Sequence, residues 1–532
     1  MIENTEIMGL IDKYNPYEKI RDGQQKAIID IIEKFDPNVE EPIIITMPAP
    51  TAFGKSLVCS IAMRIIGESG YEAIGTTPLI ELLKQYRDNP NFSDYPCLLG
   101  RSNYKCLEHP EFTAADCPHK KTRNKPKICE KCEYNIAASE YDNSNFGWTT
   151  FDSYIRRRRI PDVLFVDESA KIESILRNYN SIIIPDDFNE INKIESFEMW
   201  RNNLRSEYKV LEENEEFLLE LLNDDNDSHI NDYVKNERKM ESVKEKIERI
   251  STCLGYLKSG IDTLIEHSEK NVYNKETRKY DKVKIREFKL LTAYIPFANM
   301  ITGLKMVVLS SATPSTNLLT SKENIVLDTI HPIPIERRPC YLMPVGKMNY
   351  DSRVATAKKM APVINNLWEL YDCKTMIHAG SYPIAELLYD NLSNIIKDED
   401  ILLQTSRNRN ECPNIFRNST RKLIWISVEF NEGIDLYGSD YRLNIIAKLP
   451  MDLWTSEYVV ARREYDIKNY HWNMQYETNS ANKVMQSYGR ICRGPDDKGD
   501  TYILDQSVIS SINRYKTKLY HKWFLDALKP LK

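Results

Sequence analysis

Ala49-Pro-Thr-Ala-Phe-Gly-Lys-Ser56 is the stretch on which the reading of the fold turns. A short apolar run, Ile43–Thr46, precedes it, and Leu57, Val58 and Ile61 open a helical pattern after it. A strand, a tight loop ending in Gly-Lys-Ser and a helix make a cradle for phosphate. Backbone N–H groups at the helix N-terminus face the anion, the lysine bridges its outer oxygens, and the hydroxyl ligates magnesium. In this chain the cradle wall is Pro50, Thr51, Ala52, Phe53 and Gly54, with Lys55 as the cation and Ser56 as the metal ligand. The general pattern begins with glycine, and Ala49 departs from it.

The 532 residues leave room for about three or four domains. An apolar share of 42% and a charged share of 28% describe an ordinary folded chain, not a disordered one. No apolar run reaches membrane-spanning length, and Met1-Ile-Glu-Asn-Thr-Glu6 lacks a signal-peptide pattern. The expected location is therefore the cytoplasm, or the nucleus or a viral replication compartment, with no membrane partner. A net charge of −6 lends no support to nucleic-acid binding, although a local basic groove would suffice for it. Eleven cysteines without a secretion signal argue against a disulfide framework. Four of them cluster, which points to metal.

Outward from the loop, β-type runs alternate with helical stretches: Ile43–Thr46, Ala73–Thr76, Val163–Val166 and Met306–Leu309, then Thr375–Ile377, Leu423–Ser427, Leu443–Ala447 and Tyr502–Leu504. That alternation predicts parallel sheets covered on both faces, in two α/β domains. Two segments interrupt the first. The earlier, 100–135, is rich in cysteine, lysine and proline. The later, 181–288, is charged and helical. There Met240, Val243, Ile247, Ile250, Leu254, Leu257, Ile261 and Leu264 alternate steps of three and four, predicting one apolar seam along a long helix. A preceding helix around Leu211 and Leu218 would pair with it as an antiparallel hairpin. Strands turning near Lys275 would lead back to the core.

Val163-Leu-Phe-Val-Asp-Glu-Ser-Ala170 is an apolar strand ending in two carboxylates. A phosphate-binding loop needs one acid to hold magnesium and one to align the attacking water, so Asp167 takes the first task and Glu168 the second. Ser310-Ser-Ala-Thr313 and Asn431-Glu-Gly-Ile-Asp-Leu436 each follow a strand, where open α/β sheets place ligands. Near the C-terminus stands Gln486-Ser-Tyr-Gly-Arg-Ile-Cys-Arg493. On a helix, Arg490 and Arg493 would share a face and reach one phosphate tail. An arginine on the developing charge is worth roughly 10³–10⁵ in rate in such reactions.

In this order the motifs resemble those of the superfamily 2 helicases, from about residue 15 to 515. Motif I is Ala49–Ser56, and alanine is usual there at its first position. Motif Ia is Thr76-Thr-Pro78, motif II is Asp167–Ala170, and motif III is Ser311-Ala-Thr313. Motif V is Glu432-Gly-Ile-Asp435, placing Asp435 at the nucleotide, and motif VI is Gln486–Arg493. Arg21-Asp-Gly-Gln24 resembles the segment that reads adenine, through Arg21 and Gln24. The resemblance makes Lys55, Asp167, Glu168, Gln486, Arg490 and Arg493 catalytic. Two positions depart from the pattern. Ala52 replaces a glycine, and motif II lacks the histidine that often couples hydrolysis to movement.

Cys106, Cys117, Cys129 and Cys132 lie between motifs I and II. Four thiolates suit zinc or an iron–sulfur cluster, and spacing alone does not choose between them. A cysteine-rich insertion before motif II and a helical arch after it resemble the XPD/DinG group. That resemblance implies a [4Fe–4S] cluster on the four cysteines, ATP and Mg²⁺ as the fuel, and 5′→3′ travel on single-stranded and forked DNA. His109 and His119 read as loop residues. Lys120, Lys121, Arg123, Lys125 and Lys127 make the insertion basic, and Tyr104 and Tyr134 could stack bases beside them. Thr77, His378 and Ser381 stand where the group grips the strand.

The expected architecture is α/β, with two RecA-like parallel-sheet domains and both insertions in the first. Domain 1 comprises 1–99, 136–180 and 289–330, with the cysteine insertion at 100–135 and the arch at 181–288. Domain 2 is 331–532. The expected function is an ATP-dependent DNA helicase. A translocase that displaces bound proteins without unwinding is the first alternative, and a nucleic-acid-binding protein with a weakened ATPase is the second.

Overall fold

The structure, a computed structural model, describes residues 4–50, 52–117, 119, 127–157, 159–223, 229–274, 279–314, 318, 324–428, 441–492, 494 and 497–530. In chain order the strands are β1 Ile43–Pro48, β2 Ala73–Thr77, β3 Cys97–Leu98, β4 Phe146–Thr150 and β5 Val163–Asp167, then β6 Ile182–Ile184, β7 Thr263–Asn274 and β8 Lys279–Leu290. They continue with β9 Met306–Ser311, β10 Asn324–Val326, β11 Cys340–Gly346, β12 Lys374–His378, β13 Ile401–Leu403, β14 Ile424–Ser427, β15 Tyr441–Ile446, β16 Asp500–Asp505 and β17 Leu528–Pro530.

Two seven-stranded sheets organise the molecule, in the orders β10-β1-β9-β5-β2-β4-β3 and β13-β14-β12-β15-β16-β11-β17. Both are parallel throughout. Val163 to Asp167 and Met306 to Ser311 are buried at every position, the pattern of strands covered by helices on both faces. Every strand run read from the sequence lies in one of these sheets. The strands it missed in these sheets lie at or next to an edge, among them the short pieces Cys97–Leu98 and Leu528–Pro530 and the longer Phe146–Thr150 and Cys340–Gly346. In the first sheet β9 lies between β1 and β5. The loops after all three therefore gather at one edge, the usual ligand side of such sheets.

The second insertion is mixed, not simply helical. Helices Lys193–Asn223 and Ile230–Lys258 pack against a three-stranded antiparallel sheet, β6-β8-β7. Phe197, Leu211, Met240, Ile250, Leu254 and Phe288 share their core. The seam stops short of the expected eight residues. Gly260, at φ 69°, ends the helix by donating its N–H to the Leu257 carbonyl, while the Ile261 N–H reaches the Tyr256 carbonyl. Leu264 consequently sits in β7, opposite Lys289.

The cysteine segment touches the arch. Cys106 and Phe112 pack with Ile230, Tyr233 and Val234, and Arg238 Nε donates to Asp116 Oδ1 at 2.6 Å. Among the described residues no helix is long and apolar enough to cross a membrane.

Candidate active site

The loop after β1 wraps through two left-handed residues, Ala52 at φ 68° and Gly54 at φ 81°. Gly54 precedes helix Lys55–Glu68 directly, so the chain reverses just where the helix exposes its first N–H groups. Gln24 Nε2 donates to the Phe53 carbonyl at 2.7 Å, and a Cβ on Gly54 would stand 2.3 Å from that nitrogen. The left-handed φ favours glycine there, and a Cβ would displace the Gln24 amide from its hydrogen bond. Arg21 Nη1 donates to the Ala52 carbonyl at 2.5 Å. The two residues expected to read adenine thus brace the loop's backbone in this structure. Thr51 lies outside the described residues.

Ser56 Oγ donates to Asp167 Oδ2 at 3.2 Å, joining the loop's helix to the end of β5. Asp167 is 2% exposed, and its Oδ1 accepts the Glu168 N–H at 2.9 Å. Burial first, and the neighbouring Glu168 second, hold the Asp167 carboxyl above its ordinary range, while Lys55 pulls it back down. A buried carboxylate beside a serine hydroxyl and a lysine is chemically suited to magnesium and a phosphate tail. Glu168 adopts the left-handed conformation, φ 53° and ψ 43°. Non-glycine residues in this conformation are strained and are enriched at functional sites. Sequence reading missed Tyr86, whose hydroxyl contacts Ser56 Oγ and donates to Asp167 Oδ2. It lies 30 and 81 positions from those partners, and no local pattern marks it.

The second domain reaches this edge through motif VI. Gln486 Nε2 donates to Thr313 Oγ1 at 3.2 Å, and Ala52 packs against a cluster containing Ile491 and Cys492. The helical placement of Arg490 is corrected, because helix Met474–Tyr488 ends before it. The Gly489 N–H closes that helix on the Met485 and Ser487 carbonyls, and Cys492 turns left-handed at φ 64°. Arg490 is buried and lies near His378, lowering that residue's affinity for a proton. Arg493 and Asp435 lie outside the described residues.

Two of the strand-gripping candidates are interior. Thr77 is fully buried, with Oγ1 accepting the Leu79 N–H at 3.3 Å. His378 is 1% exposed, and its Nε2 lies 2.9 Å from Asn444 Oδ1. Asn444 in turn donates to the Ser487 carbonyl at 3.1 Å, so this buried pair supports the end of the motif VI helix. Ser381, half-buried at the start of helix Tyr382–Leu392, accepts from Lys448 Nζ at 3.1 Å.

Cys106, Cys117, Cys129 and Cys132 line one cavity of about 80 Å³. Burial pushes the Cys117 thiol up to about 11; the His119 backbone opposes this, and the three other thiols add to it. Each thiolate held there needs a cationic centre to offset that burden. A single zinc ion with bonds of about 2.3 Å would draw its sulfurs to about 3.8 Å of one another. Among the described residues no three of the four sulfurs come mutually within 4.8 Å, whereas ligand atoms of Glu108, His109 and His119 do. Four thiols lining one cavity are a donor set that fits either a zinc ion or an iron–sulfur cluster. His119 Nε2 lies 2.5 Å from Glu108 Oε2.

Tyr104 and Tyr134 do not offer free stacking faces. They are buried edge-to-face at 5.6 Å, and Arg101 covers the Tyr134 ring. Lys120, Lys121, Arg123 and Lys125 lie outside the described residues, and Lys127 is exposed.

The fold is that of a two-domain α/β protein, with the loop after β1 packed against residues of the second domain. Residues 364–530 match the helicase C-terminal domain family. The ATP-dependent DNA helicase DinG of Photobacterium profundum is 37% identical over 106 residues, 19% of this chain and 14% of that protein. The matched stretch therefore spans far less than two thirds of that relative. An XPD helicase structure superposes with a TM-score of 0.56 at 14% identity, covering 97% of this chain and 100% of that one. The structure of S. tokodaii Xpd4 gives 0.51 at 12% identity, covering 96% and 100%. The C-terminal part thus matches a helicase domain, a short stretch is similar to DinG, and the fold is similar to that of the XPD structures.

Proposed function

We propose that this chain is an ATP-dependent DNA helicase that travels 5′→3′ on single-stranded DNA and opens forked duplex. The observation that carries the reading is the Gln486–Thr313 hydrogen bond, at the edge where Ser56 and Asp167 also meet. It joins motif VI of one sheet to motif III of the other, so nucleotide in the cleft would be felt by both domains. Lys55, Ser56 and Asp167 hold the phosphate tail and its metal, and Glu168 orients the attacking water. Asp435, Gln486, Arg490 and Arg493 complete the site from the second domain. Bound magnesium supplies charge neutralisation at the phosphates. Opening and closing of the cleft would shift two grips along the strand.

In the same reading Cys106, Cys117, Cys129 and Cys132 hold a [4Fe–4S] cluster. The contact between the cysteine segment and the arch, through Arg238 and Asp116, supports a joint role for both insertions in parting the strands. The test is Lys55→Ala, expected to abolish ATP hydrolysis stimulated by single-stranded DNA. Hydrolysis equal to the unmodified chain's would remove the fuel-site assignment.

A further inference from the structure

We infer that Tyr86 is a positioning residue for the magnesium ion of this site, acting through Asp167 and Ser56. The inference rests on the nucleotide-site reading above and adds to it a residue outside the helicase motifs. Tyr86 lies on helix Ile80–Asp88, with its side chain directed into the protein and only 6% exposed. Its hydroxyl donates to Asp167 Oδ2 and contacts Ser56 Oγ at 2.5 Å, while Ser56 Oγ reaches the same carboxylate oxygen at 3.2 Å. Three oxygens thus meet at the point where the two expected metal ligands converge. The other carboxylate oxygen, Oδ1, is already taken by the Glu168 N–H.

As an O–H donor to Asp167 Oδ2, the phenol can orient the carboxylate and offset part of the cost of burying its charge. The ring is kept in place by two aromatic neighbours. Trp148 packs on it at 4.9 Å and Phe92 at 6.0 Å. Trp148 Nε1 donates to Ser60 Oγ at 3.0 Å, on the helix that begins with Lys55 and Ser56. Ring and loop helix are therefore locked to one another, and the hydroxyl's position is set by the fold, not by rotamer choice alone.

Partners that orient a metal ligand through a hydrogen bond are worth roughly 10–100-fold in metal affinity. Tyr86→Phe keeps the ring and its packing and removes only the hydroxyl. On the full chain carrying a non-hydrolysable ATP analogue, Mn²⁺ binding followed by electron paramagnetic resonance should weaken roughly tenfold or more. The Mg²⁺ concentration giving half-maximal hydrolysis should rise in parallel. Affinity for the nucleotide in EDTA should stay within about twofold, and the circular dichroism spectrum should be unchanged, because the hydroxyl acts only on the metal's ligands. Unaltered Mn²⁺ affinity in a folded Tyr86→Phe chain would leave Tyr86 with packing alone and overturn the inference. An unmodified chain that binds no Mn²⁺–nucleotide would instead overturn the nucleotide-site reading on which it rests.

Discussion

Ala52 carries a φ of 68° without being glycine, in the loop proposed above to hold phosphate. An L-residue there costs about 1–2 kcal/mol, because its Cβ crowds the following carbonyl. The structure holds it with the Arg21 hydrogen bond to its carbonyl and with packing against the second domain. Ala52→Gly removes the strain but frees the unfolded chain by about 0.4–1 kcal/mol. The expected net effect in urea denaturation is a gain of up to about 1 kcal/mol, whereas Ala52→Val, with a branch at Cβ, should lose more than that. A clear loss on Ala52→Gly would show that the methyl contact outweighs the backbone. Under the weakened-ATPase alternative, the same glycine variant should also raise the hydrolysis rate.

At the scale of elements, one buried ion pair fastens the two domains. Helix Glu457–Tyr470 lies against helix Ile172–Tyr179, which follows motif II. Arg462 Nη1 donates to Glu173 Oε1 at 2.8 Å and to the Leu291 carbonyl at 2.6 Å, and Nε donates to Asp466 Oδ1 at 2.9 Å. All three side chains are nearly inaccessible to water. Arg462→Met should therefore cost about 3–5 kcal/mol in chemical denaturation, because two carboxylates stay buried without their cation. Adding Glu173→Leu should recover part of that loss; no recovery would place the cost in packing. The cysteine segment makes a separate prediction. Anaerobically purified protein should be brown, with a broad visible band and bound iron, and Cys129→Ser should lose both. A colourless zinc protein would overturn the cluster assignment.

Across the whole molecule, three histidines are held in the neutral form, His378 buried and His331 and His521 half-buried. Burial holds His331 and His378 down to about 3 and His521 down to about 4, with Arg338 adding to the first and Arg490 opposing protonation of the second. Asn444 Oδ1, beside His378, favours its proton but does not outweigh burial. In the unfolded chain each would titrate near 6.5. Below that pH the unfolded chain takes up protons that the native protein refuses, so stability falls as pH drops from about 6.5 towards 4. Each histidine contributes up to about 1.4 kcal/mol per pH unit. The melting temperature should therefore decline between pH 7 and pH 5, and His378→Gln should lessen the slope. A melting temperature independent of pH over that range would contradict the neutral assignment.

By itself the sequence determined what local chemistry can specify. Continuous runs of Val, Ile and Leu made the central strands legible, because a fully buried strand must be apolar at every position. The Gly-Lys-Ser turn and the Asp-Glu strand end were legible because phosphate and magnesium demand those residue types at those spacings. Tertiary structure alone decided which of them meet, and at what distance. The 3.2 Å between Ser56 and Asp167, the insertion of Tyr86 between them and the reach of Gln486 to Thr313 join residues far apart in the chain. The same holds for the misplaced expectations. Thr77 and His378 stand at strand ends where the resemblance placed the grip on nucleic acid, yet packing from distant elements buries them. Arg490 and Arg493 have helical spacing, but Gly489 ends the helix first. Local pattern sets what a residue can do, and only the contacts that long-range packing stabilises decide whether it is placed to do it.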